Sequence, residues 1–326
     1  MIRRRYLRNR ARGNIVYPGL IAAWSAKGKT NDDKNRAILK DLTGNGHDIT
    51  LNGFAFSEMS GYGGYSTNFL NWNKQIATEV THNKIIMRNI SSFANWANNK
   101  NQQLPNGLKI NVFGITDETV NYRYSIEEGS MENNILKLTN GINILPPCYS
   151  CNFFSTTVKE ECNIVIELIP EYPDALVFDG VNDYGFCTNI PLLEDYTIIA
   201  KRKDCSKGCL FTKGVDGYGA FVLEGYSFIN NTYNYGRGQN KNLLLNNTIT
   251  WQNKNSYNQQ NLSVGNKSDT TNRITIGVLH NTDGRYLKGA FYFAYLFDRS
   301  LDEQEIKVFI RKYIDANYVL PSEQTT

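Results

Sequence analysis

Oxygen-rich turns and clustered thiols are the first features of this chain that could do chemistry. Asp41, Asn45 and Asp48 fall within one short stretch, and Asp179, Asn182 and Asp183 within another. Calcium takes about 6–8 oxygen ligands from carboxylates, amides and carbonyls. Asp41, Asn45, Asp179 and Asp183 are therefore the calcium candidates. The same side chains also cap the backbone of ordinary turns. That reading is preferred, so no cofactor is expected. Cys148-x-x-Cys151 with Cys162 gives three thiols at part of a zinc spacing. The usual second pair is missing, since Cys205-x-x-x-Cys209 lies across a domain boundary. With Cys187 these residues read as reduced thiols. His47, His82 and His280 are too few and too scattered for a triad, and no Gly-x-Ser-x-Gly occurs. Gly61-Tyr62-Gly63-Gly64 precedes no helical pattern, so it is not a phosphate loop.

Sugar recognition is harder to set aside. Tyr226, Tyr233, Tyr235, Arg237 and Trp251 cluster in a stretch rich in Asn and Gly. Sugar C–H faces stack on aromatic rings, and sugar hydroxyls pair with amides and guanidinium groups. Packing of loops or a protein contact would use the same residues, because Tyr and Arg also dominate interfaces. The two readings stand level.

Such groups need a body to hold them. The chain has 326 residues, 41% of them hydrophobic, which is enough to bury a core and excludes a disordered or collagen-like chain. No run of ~18 apolar residues occurs, so no membrane helix is expected. The 20 Tyr and 16 Phe favour strands, and the 41 Asn favour turns. An all-β protein is expected.

The chain carries a net charge of +4. Residues 1–29 hold eight basic side chains and no acid, which leaves −4 for the remainder. The basic character is an N-terminal arm containing Arg3, Arg4, Arg5, Arg8, Arg10 and Arg12. The apolar stretch after it is too short for an export signal. An arm of this composition is expected to need a partner to hold it. Phosphates could serve, but no nucleic-acid motif follows. An acidic groove on another subunit is the preferred partner.

The clearest local pattern is terminal. Residues 290–297, Ala-Phe-Tyr-Phe-Ala-Tyr-Leu-Phe, read as a strand buried on both faces. Ser300 and Glu303 then match a capping box. Ile306, Phe309, Ile310, Tyr313 and Ile314 follow at helical spacing, which predicts one short helix over about 301–315. Elsewhere strands are expected at 20–25, 49–56, 175–178, 184–187, 196–201, 218–223, 242–245 and 273–279, separated by turn clusters. Residues 75–171 read as a small second β domain, with strands at 108–113, 120–126, 135–138 and 163–169.

Three segments resemble the concanavalin A-like (laminin G-like) lectin sandwich. They are Leu20-Ile-Ala-Ala-Trp24 with Asp41-Leu-Thr-Gly-Asn-Gly-His-Asp48, then Ala175-Leu-Val-Phe-Asp-Gly-Val-Asn-Asp-Tyr184, and the terminal strand with Phe297-Asp-Arg-Ser-Leu-Asp-Glu-Gln-Glu-Ile306. The layout is similar to lectin-like virion proteins of phages of gut Bacteroidetes. The resemblance implies a jelly-roll β-sandwich at 20–74 and 172–320, interrupted by the inserted domain at 75–171 and preceded by the arm at 1–19. Trp24 and Phe178 would then fill the space between its sheets.

Hydrolases in this family place Glu-x-Asp-x-x-Glu on one strand, so that its acids face the cleft. That motif is absent. Glu127-Glu128 and Glu160-Glu161 are adjacent pairs, whose members point to opposite faces of a strand. The expectation is a non-enzymatic structural component of a phage particle: a head fibre, tail or decoration protein. Its partners would be other virion proteins, copies of itself and a host surface glycan, with nucleic acid disfavoured and no membrane. The alternative is a bacterial glycan-binding protein or a diverged glycoside hydrolase.

Overall fold

The computed structural model describes residues 15–75, 77, 79–90, 95–99, 103–130, 134–191, 193, 196–215, 218–224, 240–245, 248–253, 272–278 and 286–314. The chain is mostly β, in several antiparallel sheets, with one short α-helix among the described residues. It divides into two compact units, 1–54 with 178–326, and 55–177. Residues 55–74, assigned by sequence to the sandwich, belong to the second unit. The reason is that Phe69 and Trp72 bury their rings in its core.

The first unit opens with β1 (Leu20–Ser25), β2 (Ile38–Leu39) and β3 (Ile49–Asn52). The second contains β4 (Gly61–Tyr62), β5 (Asn73–Lys74), β6 (Glu79–Val80), β7 (Lys84–Met87), β8 (Asn95–Asn99) and β9 (Leu108–Phe113). It continues with β10 (Val120–Ser125), β11 (Asn134–Lys137), β12 (Gly141–Leu145), β13 (Ser150–Ser155) and β14 (Ile164–Leu168). The boundary between units falls within β15 (Leu176–Asp179). The first unit resumes with β16 (Tyr184–Cys187), β17 (Tyr196–Lys207), β18 (Cys209–Val215), β19 (Tyr218–Glu224) and β20 (Asn240–Leu245). It ends with β21 (Thr248–Asn253), β22 (Ile274–Ile276), β23 (Lys288–Phe297) and α1 (Glu303–Tyr313).

In the first unit, β23 is flanked by β1 and β17, both antiparallel to its segment Phe293–Phe297. The order continues outward from β17 through β21 to β20. The other sheet runs β19-β18-β22-β16-β3-β2. Trp24 on β1 and Phe211 on β18 join the two sheets, with ring centroids 6.2 Å apart and planes at 26°. Phe291 meets Phe211 edge-on at 5.7 Å. Phe178 is buried against Phe54.

The helix covers the face of the β1–β23–β17 sheet opposite Trp24 and Phe291. Ile306, Phe309 and Ile310 cluster there with Leu20, Ala23, Ile199, Tyr295 and Phe297. Phe293 is only partly buried and belongs to this helix-side cluster. A bulge between Lys201 and Arg202 shifts the pairing along β23. The capping box is not Ser300 with Glu303. Asp302 accepts from the Glu305 amide at 2.8 Å, and Glu305 accepts from the Asp302 amide at 3.1 Å. Two contacts select this frame. Arg299 grips Glu305 with both terminal nitrogens, and the Leu301 amide donates to Thr197 Oγ1. Leu301 and Ile306 then close a hydrophobic staple in one cluster.

Residues 15–19 also belong to the body rather than to the arm. The Tyr17 ring meets Phe309 edge-on at 5.1 Å, the Ile15 amide donates to the Leu42 carbonyl, and Tyr313 Oη donates to the Val16 carbonyl.

The second unit is sandwich-like. One sheet runs β11-β10-β13-β8-β5 and the other β12-β9-β14-β7-β6. Tyr122 and Phe153 from the first sheet cluster with Ile110, Val112, Ile164 and Ile166 from the second. Trp72 stacks on Phe153 at 5.6 Å and 11°.

Candidate functional site

Asp41, one of the four calcium candidates, is hydrogen-bonded through both carboxylate oxygens. Its Oδ1 accepts from the Ala23 amide at 3.1 Å, the Thr43 amide at 3.0 Å and the Thr43 hydroxyl at 2.8 Å. Its Oδ2 accepts from the His47 amide at 3.1 Å and lies equally close to the same Thr43 hydroxyl, which shares its one proton between the two oxygens. A carboxylate has about four lone-pair positions, so three backbone amides and the Thr43 hydroxyl take up its capacity. Asn45 Nδ2 donates to the Ile21 carbonyl at 2.8 Å. Asp48 closes the loop by accepting from the Asp41 amide and pairing with Lys40. Partial burial works against the Asp48 charge, yet Lys40 and the Asp41 amide hold its carboxyl below the usual range. Together these bonds tie the loop to β1.

The second oxygen-rich turn is built in a similar way. Asp183, fully buried, accepts from the Asp179 amide at 3.0 Å, and Asp179 accepts from the Val181 amide at 2.7 Å. Gly53 packs directly on this turn at φ +81°. A Cβ there would lie 2.1 Å from the Asn182 carbonyl oxygen, so only glycine fits. Among the described residues, no group of three or more His, Cys, Asp or Glu side chains is placed to hold a metal ion.

The six cysteines form no disulfide. Cys148 Sγ lies 3.2 Å from the buried Tyr122 hydroxyl, and burial together with Cys151 and Cys148 pushes the phenol up. Cys162 bonds instead to the Met87 carbonyl, and burial raises its thiol. Cys187 is pushed up to about 12, chiefly by burial. Protonated thiols are poor nucleophiles and poor ligands.

Of the five sugar-binding candidates, Tyr226, Tyr233, Tyr235 and Arg237 lie outside the described residues. Trp251 is placed by its backbone in β21, opposite Ile198 of β17 and Asn242 of β20. Arg3, Arg4, Arg5, Arg8, Arg10 and Arg12 also lie outside the described residues. Glu127, Glu128, Glu160 and Glu161 are exposed.

Two arrangements in the second unit escaped the sequence. Glu118, with its side chain 1% exposed, accepts from the Thr116 and Asp117 amides and the Thr116 hydroxyl, and Lys159 reaches it at 2.7 Å. Burial opposes its charge, but Lys159 and the amides hold its carboxyl at about 2. Lys159 also pairs with Asp117, so the cluster clamps two loops together. On β10, β13 and β8, Arg123, Asn152 and Asn98 are register neighbours in one row, and the Arg123 guanidinium lies 4.2 Å over the Phe154 ring. Both amide atoms of Asn98, and Asn152 Oδ1, are buried with hydrogen-bonding capacity that no described residue meets. Strand pairing across distant segments builds both arrangements, and no local spacing announces either.

Comparison with protein-family models, curated proteins and solved structures finds no match to this chain.

Proposed function

We propose that this chain is a non-enzymatic structural component of a phage particle, a head fibre, tail or decoration protein of the virion. In this reading the first unit is a concanavalin A-like jelly roll held on display, and the basic arm is its anchor. Support for the fold comes from where the three resembling segments lie. Leu20–Trp24 forms β1, the Asp41 loop is bonded to that strand, and the Asp179–Asp183 turn joins β15 to β16. The terminal segment supplies β23 and α1, and β1 pairs with β23. The first and last described strands thus pair in one sheet, with the second unit inserted between them in sequence.

The observation that carries the functional reading is the charge division: six arginines and no acid in the arm, residues 1–14, against −2 in the remainder. The arm joins the body at a fixed place, because Ile15, Val16 and Tyr17 are fastened to Leu42 and α1. A cationic segment rooted on a rigid, weakly acidic body suits docking onto an acidic surface of another virion protein or another copy. A surface glycan is a further partner, through Tyr226, Tyr233, Tyr235, Arg237 and Trp251. The test is incorporation. Particles from an infected culture should contain the full chain and should lack a chain missing residues 1–14. A chain recovered only outside the particles would overturn the reading.

A further inference from the structure

In the second unit, among the described residues, β12 is the terminal strand of its sheet and pairs only with β9 in the strand order. One row of its backbone groups therefore faces away from the sheet. Proteins usually blunt such an edge with a charge, a proline or a bulge. This edge has none of them. Residues 138–158 contain no charged side chain, and no proline falls within Gly141–Leu145. The pairing with β9 runs from Gly141↔Val112 to Leu145↔Leu108 without a register shift.

The outer face of β12 itself is apolar, with exposed Lys109 of β9 directly opposite Ile144. Ile142 and Ile144 are 64% and 76% exposed on the outer face of the sheet. Phe113, diagonal to Ile142 on β9, is 45% exposed and stands opposite Val165. In the preceding strand β11, itself the end of the other sheet, Ile135 and Leu136 are exposed as well. Leu138, Thr139 and Asn140 join the two strands. Both terminal strands therefore fall in one segment, 134–145, whose one charged residue is Lys137.

We propose that the β12 edge pairs antiparallel with β12 of a second copy of this chain, making one continuous sheet across a two-fold axis. The register argues for a copy as the occupant. With the axis at Asn143, Ile142 of each copy meets Ile144 of the other, and Gly141 meets Leu145. Four isoleucines then share one face as two cross-strand pairs, and no charge opposes a like charge. A two-fold contact is also the commonest closed arrangement for identical chains. Asn143 does not obstruct it, since its side chain folds back onto its own turn, donating to the Thr139 and Gly141 carbonyls. This proposal stands apart from the arm and from glycan binding.

The test is sedimentation velocity on the full chain over a concentration series, with Ile142→Lys/Ile144→Lys and the milder single variant Ile144→Glu. Both positions are exposed, and unchanged thermal midpoints verify folding. The wild type should sediment as a dimer. The double variant should be monomeric and the single variant shifted at least tenfold toward monomer. A wild type that stays monomeric at all concentrations overturns the proposal. So does an assembly that survives in both folded variants, or a monomer that instead adds a foreign extended peptide to this edge.

Discussion

The Trp24 indole and the Phe211 ring lie 6.2 Å apart, nearly parallel, one from each sheet of the first unit. Trp24 Nε1 also donates to the His47 carbonyl at 2.6 Å, so the same side chain joins the sheets and holds the Asp41–Asp48 loop. Large-to-small substitution of a buried aromatic costs roughly 3–5 kcal/mol. Trp24→Ala should lose that much in denaturant unfolding, and Phe211→Ala a similar amount. A loss under about 1 kcal/mol in both would show that the sheets are not joined there.

Asp41→Ala should destabilise by more than about 2 kcal/mol, because it strands the Ala23, Thr43 and His47 amides, and unmet buried donors cost about 1–3 kcal/mol each. Since three backbone amides and the Thr43 hydroxyl take up the lone pairs of Asp41, millimolar calcium or a chelator should leave the wild-type thermal midpoint unchanged. A midpoint raised by calcium in the wild type and not in Asp41→Asn would restore the metal reading.

The sequence was legible where an element is bounded by its own turn chemistry. The strands at 20–25, 108–113 and 184–187 were expected with the ends they have. Elsewhere tertiary contacts decided. Ser300-x-x-Glu303 and Asp302-x-x-Glu305 are the same local signal two residues apart. Only Thr197 and Arg299, neither of them in the helix, select the second. The strand Asn95–Asn99 was missed because Asn is depleted in strands, yet its Trp96 is fully buried. The Glu118–Lys159 clamp joins residues 41 positions apart, beyond the reach of periodicity.

Glu118 gives a pH signature. Its folded carboxyl lies near 2, below the ordinary glutamate value of about 4.3. A depressed carboxyl stabilises the fold above the ordinary value, and that contribution disappears as pH falls through the folded one. The stability gap between wild type and Glu118→Gln should therefore be full at pH 7, shrink below about pH 4.5, and be mostly lost near pH 2. Urea titrations across that range measure it. A gap independent of pH would contradict the clamp.

In a polysaccharide panel the full chain should release no reducing sugar, and release would refute the non-enzymatic reading. If a glycan array gives a signal, Tyr235→Ala with Trp251→Ala should remove it at an unchanged thermal midpoint. A signal that survives moves the sugar site elsewhere.

The most direct measurement compares particles grown with the full chain and with a chain lacking residues 1–14, by quantitative mass spectrometry of the purified particle. The truncated chain keeps Tyr17 on α1 and should fold with the same thermal midpoint. The account predicts the full chain in the particle at fixed stoichiometry and the truncated chain at less than a tenth of that. Equal incorporation of both, or absence of the full chain from the particle, would contradict it.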